Sequence, residues 1–122
     1  MYLKSYKELI VWQKSVDLVV LIYQLTDQFP KEERYGLTAQ MRRAAVSIPS
    51  NIAEGSRRKD VPEYLQFLRT ADASSAELET QIIIAKRLYP SLNYSGADDL
   101  LNEVQKILNA MMITLDPGSR RN

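Results

Sequence analysis

From Tyr64 onward, Leu68, Ala71, Ser75, Leu78, Ile82, Ala85 and Tyr89 alternate steps of four and three without a break. Steps of that size return to one face of an α-helix, so the pattern demands a long helix with one continuous packed stripe. Asp60 stands where an N-cap belongs, Pro62 falls in the first turn, Glu63 follows three residues after Asp60, and Pro90 ends the run. The small residues between Ala71 and Ala76, broken only by Asp72, let a neighbouring helix come close. Such a stripe needs other helices to cover it, and the rest of the chain supplies three.

The first of these starts near Ser5, where Ser5-x-x-Glu8 has the form of a capping box, and stops before Pro30. It carries two stripes, Leu9, Trp12, Val16, Val19 and Tyr23 on one side and Leu18, Ile22, Leu25 and Phe29 on another, roughly 130° apart at 100° per residue. One stripe faces the core. Leu18, Ile22, Leu25 and Phe29 are assigned to an oligomer interface, the alternative being a single wide buried face.

The second helix spans roughly residues 34–56, with Gly55 suited to a left-handed C-terminal position. Leu37, Met41, Ala44, Ile48, Ile52 and Gly55 keep one face straight through Pro49. Proline removes a backbone donor and crowds the preceding turn, so a kinked single helix is expected, with Ser47 and Asn51 placed to satisfy the carbonyl that loses its partner. The last helix opens at Ser95-x-x-Asp98, shows the stripe Leu101, Val104, Leu108, Met111 and Leu115, and stops at Asp116-Pro117-Gly118. The expected fold is all-α: one domain over residues 1–122, an antiparallel up-down-up-down four-helix bundle with a tail frayed from about residue 116.

Composition then removes whole classes of chemistry. The chain has 122 residues, no cysteine and no histidine, which excludes disulfides, thiolate metal sites, Ser-His-Asp hydrolysis and the Glu-x-x-His di-iron bundles. No metal and no cofactor is expected. Glu54, Asp72, Glu77 and Glu79 leave all-oxygen coordination as the remaining option, and a solvated face explains them better. The longest apolar run, Leu18–Tyr23, is too short to span a bilayer, and Met1–Glu8 lacks the pattern of an export signal, so a cytoplasmic location without a membrane partner is expected.

The net charge of +1 is unevenly spread. Arg42, Arg43, Arg57, Arg58 and Lys59 face only Glu54 across residues 36–59, whereas residues 60–89 hold more acids than bases. These five cations are the candidate contacts to RNA or DNA, or to the acidic segment of a neighbouring copy; alternatively Arg42 and Arg43 bridge to acids on the third helix, leaving only the connector exposed. On the second helix Gln40, Arg43, Ser47, Ser50 and Glu54 form a polar stripe. Its structural reading is a kink held by local hydrogen bonds, with Glu54 paired to an arginine of another helix or another subunit; its functional reading is a small polar pocket, and structure is favoured.

Several segments together carry a family signature: Leu9-x-Val11-Trp12; Phe29-Pro30-x-x-Glu33-x-Tyr35-Gly36-Leu37-x-x-Gln40; Arg42-Arg43-Ala44-Ala45-x-Ser47-Ile48-Pro49-Ser50-Asn51-Ile52-Ala53-Glu54-Gly55; Ser74-x-x-Glu77-Leu78-Glu79; and Ala85-x-x-Leu88. They resemble the bacterial four-helix bundle proteins named after the 23S rRNA intervening sequence. The resemblance implies a compact antiparallel bundle that assembles into rings, typically pentamers, with no catalytic residues to transfer. It marks Ser47, Pro49, Ser50, Asn51, Glu54, Gly55, Ser74 and Glu77 as the family's polar cluster. A related protein is the basic pentameric accessory factor of diversity-generating retroelements, which works with nucleic acid and a reverse transcriptase. The function expected is therefore a non-enzymatic homo-oligomeric assembly or adaptor with RNA or DNA association. The alternative is a nucleic-acid-binding accessory protein serving a partner enzyme such as a reverse transcriptase.

Overall fold

The computed structural model describes residues 5–119. Four helices account for most of it: α1, Ile10–Thr26; α2, Leu37–Ser56; α3, Val61–Leu88; and α4, Ser95–Leu115. Short 3-10 turns at Tyr6–Glu8, Lys31–Glu33 and Pro117–Ser119 complete the order, and no strand occurs among the described residues. Each helix packs on two others, α1 on α2 and α4, and α3 on α2 and α4, with the broadest contact between α2 and α3. Partner residues run in opposite directions along neighbouring helices. On α3 and α4, Lys86 meets Asp98 and Gln105 meets Ser75 and Glu79. On α1 and α4, Lys14 meets Glu103.

The α3 stripe is the spine of the core. Leu68, Ala71, Ser75, Leu78, Ile82 and Ala85 are all buried, while Tyr64 and Tyr89 close its ends half-buried. Asp60 Oδ1 accepts from the Glu63 N–H at 2.8 Å, the N-cap that the sequence calls for. At the other end the Tyr89 N–H returns to the Ala85 carbonyl at 2.7 Å, and Pro90 prevents a further turn. Tyr94, buried itself, donates its hydroxyl toward the Ala85 and Tyr89 carbonyls and so closes the α3–α4 connection. Burial raises its phenol pKa above the ordinary value, because the charged phenolate loses solvation there.

Three helix starts are arranged differently from the sequence reading, at each of which a side chain takes a local backbone N–H. Ser5 accepts from the Lys7 N–H and caps only a 3-10 turn, so Ser5-x-x-Glu8 is no capping box and α1 starts at Ile10. Tyr6 folds back edge-on against Trp12, with ring centroids 5.3 Å apart. At α2, Glu33 reaches forward to accept the Leu37 N–H, so the helix begins three residues after the expected start. At α4, Asn93 rather than Ser95 supplies the acceptor, taking both the Ser95 N–H and its hydroxyl, and Asp98 pairs with Lys86.

The interface assigned to Leu18, Ile22, Leu25 and Phe29 is overturned. All four lie in the chain's own core with the buried residues of α2, α3 and α4. The outward stripe of α1 is the other one, with Trp12, Val16 and Val19 half-buried and Tyr23 exposed. The side chains of Leu18, Ile22, Leu25 and Phe29 have nothing to hydrogen-bond and bury without loss, while Trp12 and Tyr23 carry a polar tip that favours the rim. The expected fraying from about residue 116 is not seen at Asp116, which pairs with Arg69 at 3.2 Å, or at Pro117–Ser119, which form a 3-10 turn; residues 120–122 of the expected tail lie outside the described residues. No helix among the described residues is long and apolar enough to cross a membrane.

Candidate functional site

The family-motif segment builds the contact between α2 and α3. Helix α2 runs unbroken through Pro49, which is buried between Ile48 and Ile52 on the core side. Ser47 Oγ lies 2.8 Å from Ser74 Oγ on α3, a direct bridge between the two helices. Asn51 Nδ2 donates to the Ser47 carbonyl at 2.8 Å and to Ser47 Oγ at 3.0 Å. The Asn51 amide therefore organises the bridging serine and does not reach the residue-45 carbonyl, the repair expected from sequence.

Gly55 is needed for another reason than the one expected. No glycine among the described residues has positive φ, and Gly55 lies inside α2 rather than beyond its end. A Cβ at this position would stand 2.7 Å from Phe67 Cβ and 3.0 Å from Tyr64 Cδ1. Gly55 thus sets the distance between α2 and α3. Burial at this seam raises the Tyr64 phenol pKa.

The rest of the polar stripe meets solvent within the chain: Gln40, Arg43, Ser50 and Glu54 are exposed. Glu54 takes no part in the three ion pairs seen among the described residues, which join Lys14 to Glu103, Arg69 to Asp116 and Lys86 to Asp98. The expected Glu54–arginine pair is absent from that set. Glu77 lies one turn from Gln81, whose Nε2 is 3.5 Å from a Glu77 carboxylate oxygen and whose Oε1 is buried without a hydrogen-bond partner. Glu79 accepts from Gln105 at 3.4 Å. Glu54, Asp72, Glu77 and Glu79 do not gather: no cluster of three or more potential metal-ligating side chains occurs among the described residues.

The five candidate cations separate into two groups. Arg42 and Arg43 lie near the start of α2, and Arg57, Arg58 and Lys59 follow its end, about 22 Å away at 1.5 Å per residue. Arg57, Arg58 and Lys59 are exposed, with the Arg58 guanidinium 4.7 Å over the Phe67 ring. Arg42 turns to α1 instead of to acids on α3. Its guanidinium stacks 4.4 Å over the Tyr23 ring, Nε donates to Thr26 Oγ1 at 2.9 Å, and a terminal nitrogen lies 3.4 Å from the Tyr23 carbonyl.

Two concavities flank these groups, and neither was foreseen. One, of about 560 Å³, lies under the α1–α2 connection against Arg42. The other, about 470 Å³, is an apolar groove of Tyr64, Ile107, Met111 and Leu115. Both draw on residues from separate segments, so linear spacing carries no signal for them. Across the bundle end, Tyr89 donates its hydroxyl to Glu33, and this hydrogen bond, with burial and the charges of Glu33 and Glu32, pushes the phenol pKa up to about 12.

Four helices packed against antiparallel neighbours, with Ser47, Asn51 and Gly55 of the motif at the α2–α3 contact, define an all-α bundle. The model of the 23S rRNA-intervening sequence protein family matches residues 7–111, and the chain belongs to that family. A solved structure of a protein of unknown function from the S23 ribosomal protein family of Bacteroides thetaiotaomicron VPI-5482 is similar at 20% identity and a TM-score of 0.75. The match covers 84% of this chain and 98% of that one, and it establishes the likeness of fold. Comparison with curated proteins gives no match.

Proposed function

We propose that the chain is a non-enzymatic homo-oligomeric assembly or adaptor protein, in the five-membered ring that the family resemblance implies. The observation that carries this reading is the apolar surface of α3, where Ile83, Ile84 and Leu88 are 49%, 44% and 55% exposed. Apolar side chains gathered on one helix end mark an interaction surface. The favoured occupant is a second copy, because exposed Glu63, Glu77 and Glu79 on α3 complement exposed Arg43, Arg57, Arg58 and Lys59 around α2. Contact between unlike faces of identical chains closes into a ring when the rotation allows. Light scattering at micromolar concentration gives a multiple of the chain mass on this reading, and Ile84→Glu with Leu88→Glu reduces it. A monomeric wild type, or a variant of unchanged mass, would sink the proposal.

A second reading rests on Arg57, Arg58 and Lys59, exposed and outside the ion pairs seen. Repeated around a ring they form a multivalent cationic surface that holds phosphate backbones without reading sequence, as an accessory protein to an enzyme such as a reverse transcriptase requires. Binding to duplex DNA and structured RNA then weakens as salt rises, and Arg57→Glu with Arg58→Glu abolishes it. Unchanged binding by that variant removes the reading.

A further inference from the structure

The connection between α1 and α2 folds over a cavity of about 560 Å³, within the range of small-molecule sites. Lys31, Arg34 and Arg42 line it, with Asp27 the one acid among the lining residues. None of the three cations belongs to the ion pairs seen among the described residues. Three cations against one carboxylate on a concave surface favour an anion there.

Arg42 is held in readiness by neutral groups. Thr26 Oγ1 donates to the Ile22 carbonyl at 2.7 Å and in turn accepts from Arg42 Nε at 2.9 Å, while Tyr23 supports the guanidinium face. A guanidinium has five N–H donors, and these contacts leave part of its fork for a ligand. Since Thr26 is buried and its hydroxyl is committed, the guanidinium is fixed before any ligand arrives, which lowers the ordering cost of binding. Three cations suit a phosphate monoester, which carries about −1.5 to −2 charges at neutral pH, better than a single carboxylate.

The same cavity has an aromatic edge. Tyr35 lines it and is 86% exposed, with the Arg34 guanidinium 5.4 Å from its ring centroid. Phe29, buried against Tyr89 with centroids 5.2 Å apart, gives a second apolar wall. A ring this exposed beside a cationic cavity suits a ligand that joins a phosphate to a flat heteroaromatic group.

We propose that this cavity binds a nucleoside monophosphate, its phosphate held by Arg42, Lys31 and Arg34 and its base against Tyr35. The proposal shares only Arg42 with the cations considered for RNA or DNA and does not depend on either reading above. It is tested on the whole chain by NMR titration of backbone amides at low ionic strength with adenosine monophosphate, inorganic phosphate and adenosine. The expected result is saturable shifts confined to the 26–42 region, with adenosine monophosphate binding at least about ten-fold more tightly than either fragment. Lys31→Gln with Arg34→Gln, both at exposed positions, weakens the nucleotide by about ten-fold or more, and Tyr35→Ala weakens the nucleotide but leaves phosphate unchanged. Retained helicity in these variants, read by circular dichroism, assigns the loss to the site. No shift at about 10 mM nucleotide overturns the proposal, as do shifts centred on residues 57–59 or unchanged affinity in the double variant. Equal affinity for phosphate and nucleotide overturns the nucleoside assignment.

Discussion

Replacing Gly55 by alanine sets two physical effects of opposite sign against each other. Within a helix the alanine is favoured by about 0.5–1 kcal/mol, because glycine loses more backbone freedom on folding. The added Cβ, however, would lie 2.7 Å from Phe67 Cβ, 3.0 Å from Tyr64 Cδ1 and 3.3 Å from the Tyr64 carbonyl oxygen. Carbon atoms pack best at about 3.5–4.0 Å, so roughly 0.8 Å must be found against Phe67. Phe67 Cβ is fixed to the α3 backbone and cannot rotate away; relief requires α2 and α3 to part. Overpacking of this kind costs about 1–3 kcal/mol, and a rigid neighbour places it toward the upper end. After the propensity gain, Gly55→Ala is left about 1–2 kcal/mol less stable than wild type. For a chain of this size that lowers Tm by about 4–10 °C. Urea titration and thermal unfolding followed by circular dichroism measure both quantities, with unfolding first shown to be two-state. A neutral or stabilised variant would refute the reasoning, since propensity alone predicts stabilisation.

Three further perturbations test other parts of the structure. Asp60→Ala removes the acceptor for the Glu63 N–H and costs about 1 kcal/mol, read as a lower urea midpoint at unchanged slope; Asp60→Asn recovers most of it. A double-mutant cycle of Ser47→Ala and Ser74→Ala yields a coupling of about 0.5–1.5 kcal/mol, and strict additivity would mean that the two hydroxyls do not interact. Tyr89 ionises near pH 12 rather than 10, so an ultraviolet titration of the wild type contains a late phenol that Tyr89→Phe removes and Glu33→Gln shifts downward. A raised pKa stabilises the neutral form in the fold. The stability margin of wild type over Tyr89→Phe is therefore full below pH 10 and shrinks as pH rises from 10 to 12.

What sequence could reveal depended on whether one residue pattern admitted one physical outcome. The α3 stripe did: its steps of four and three fit no other element, and Leu68 through Ala85 are buried as that pattern requires. The α1 stripes did not. Both are apolar and both keep helical spacing, so the choice fell to the polar tips of Trp12 and Tyr23, which only matter once α2 and α4 are in place. Ser5-x-x-Glu8 and Ser95-x-x-Asp98 fit a capping box equally well on paper. In the fold a two-residue contact to Lys7 and the Asn93 side chain compete and win. The Arg42 cavity was beyond reach because Thr26, Arg34 and Arg42 come from the end of one helix, a connection and the start of the next.

The family motif itself divides along a physical line. Ser47, Asn51 and Gly55 each answer to the closeness of α2 and α3: a bridge to Ser74, an amide that orients the bridge, and a missing Cβ. These three belong to the packing of one helix on the other. Ser50 and Glu54 do not belong with them. Both are exposed, and packing inside one chain asks nothing of either. They share their face of α2 with Arg43, which is also exposed and outside the ion pairs seen. A polar face that the monomer does not use is where a neighbouring chain gains contact without disturbing the core. Its sequence alternates base, hydroxyl and acid, which suits a charged partner surface such as the acidic flank of α3 better than an apolar one. The two proposals place their partners on different sides of α2, another copy along Arg43–Glu54 and a nucleotide beside Arg42, which is turned toward α1.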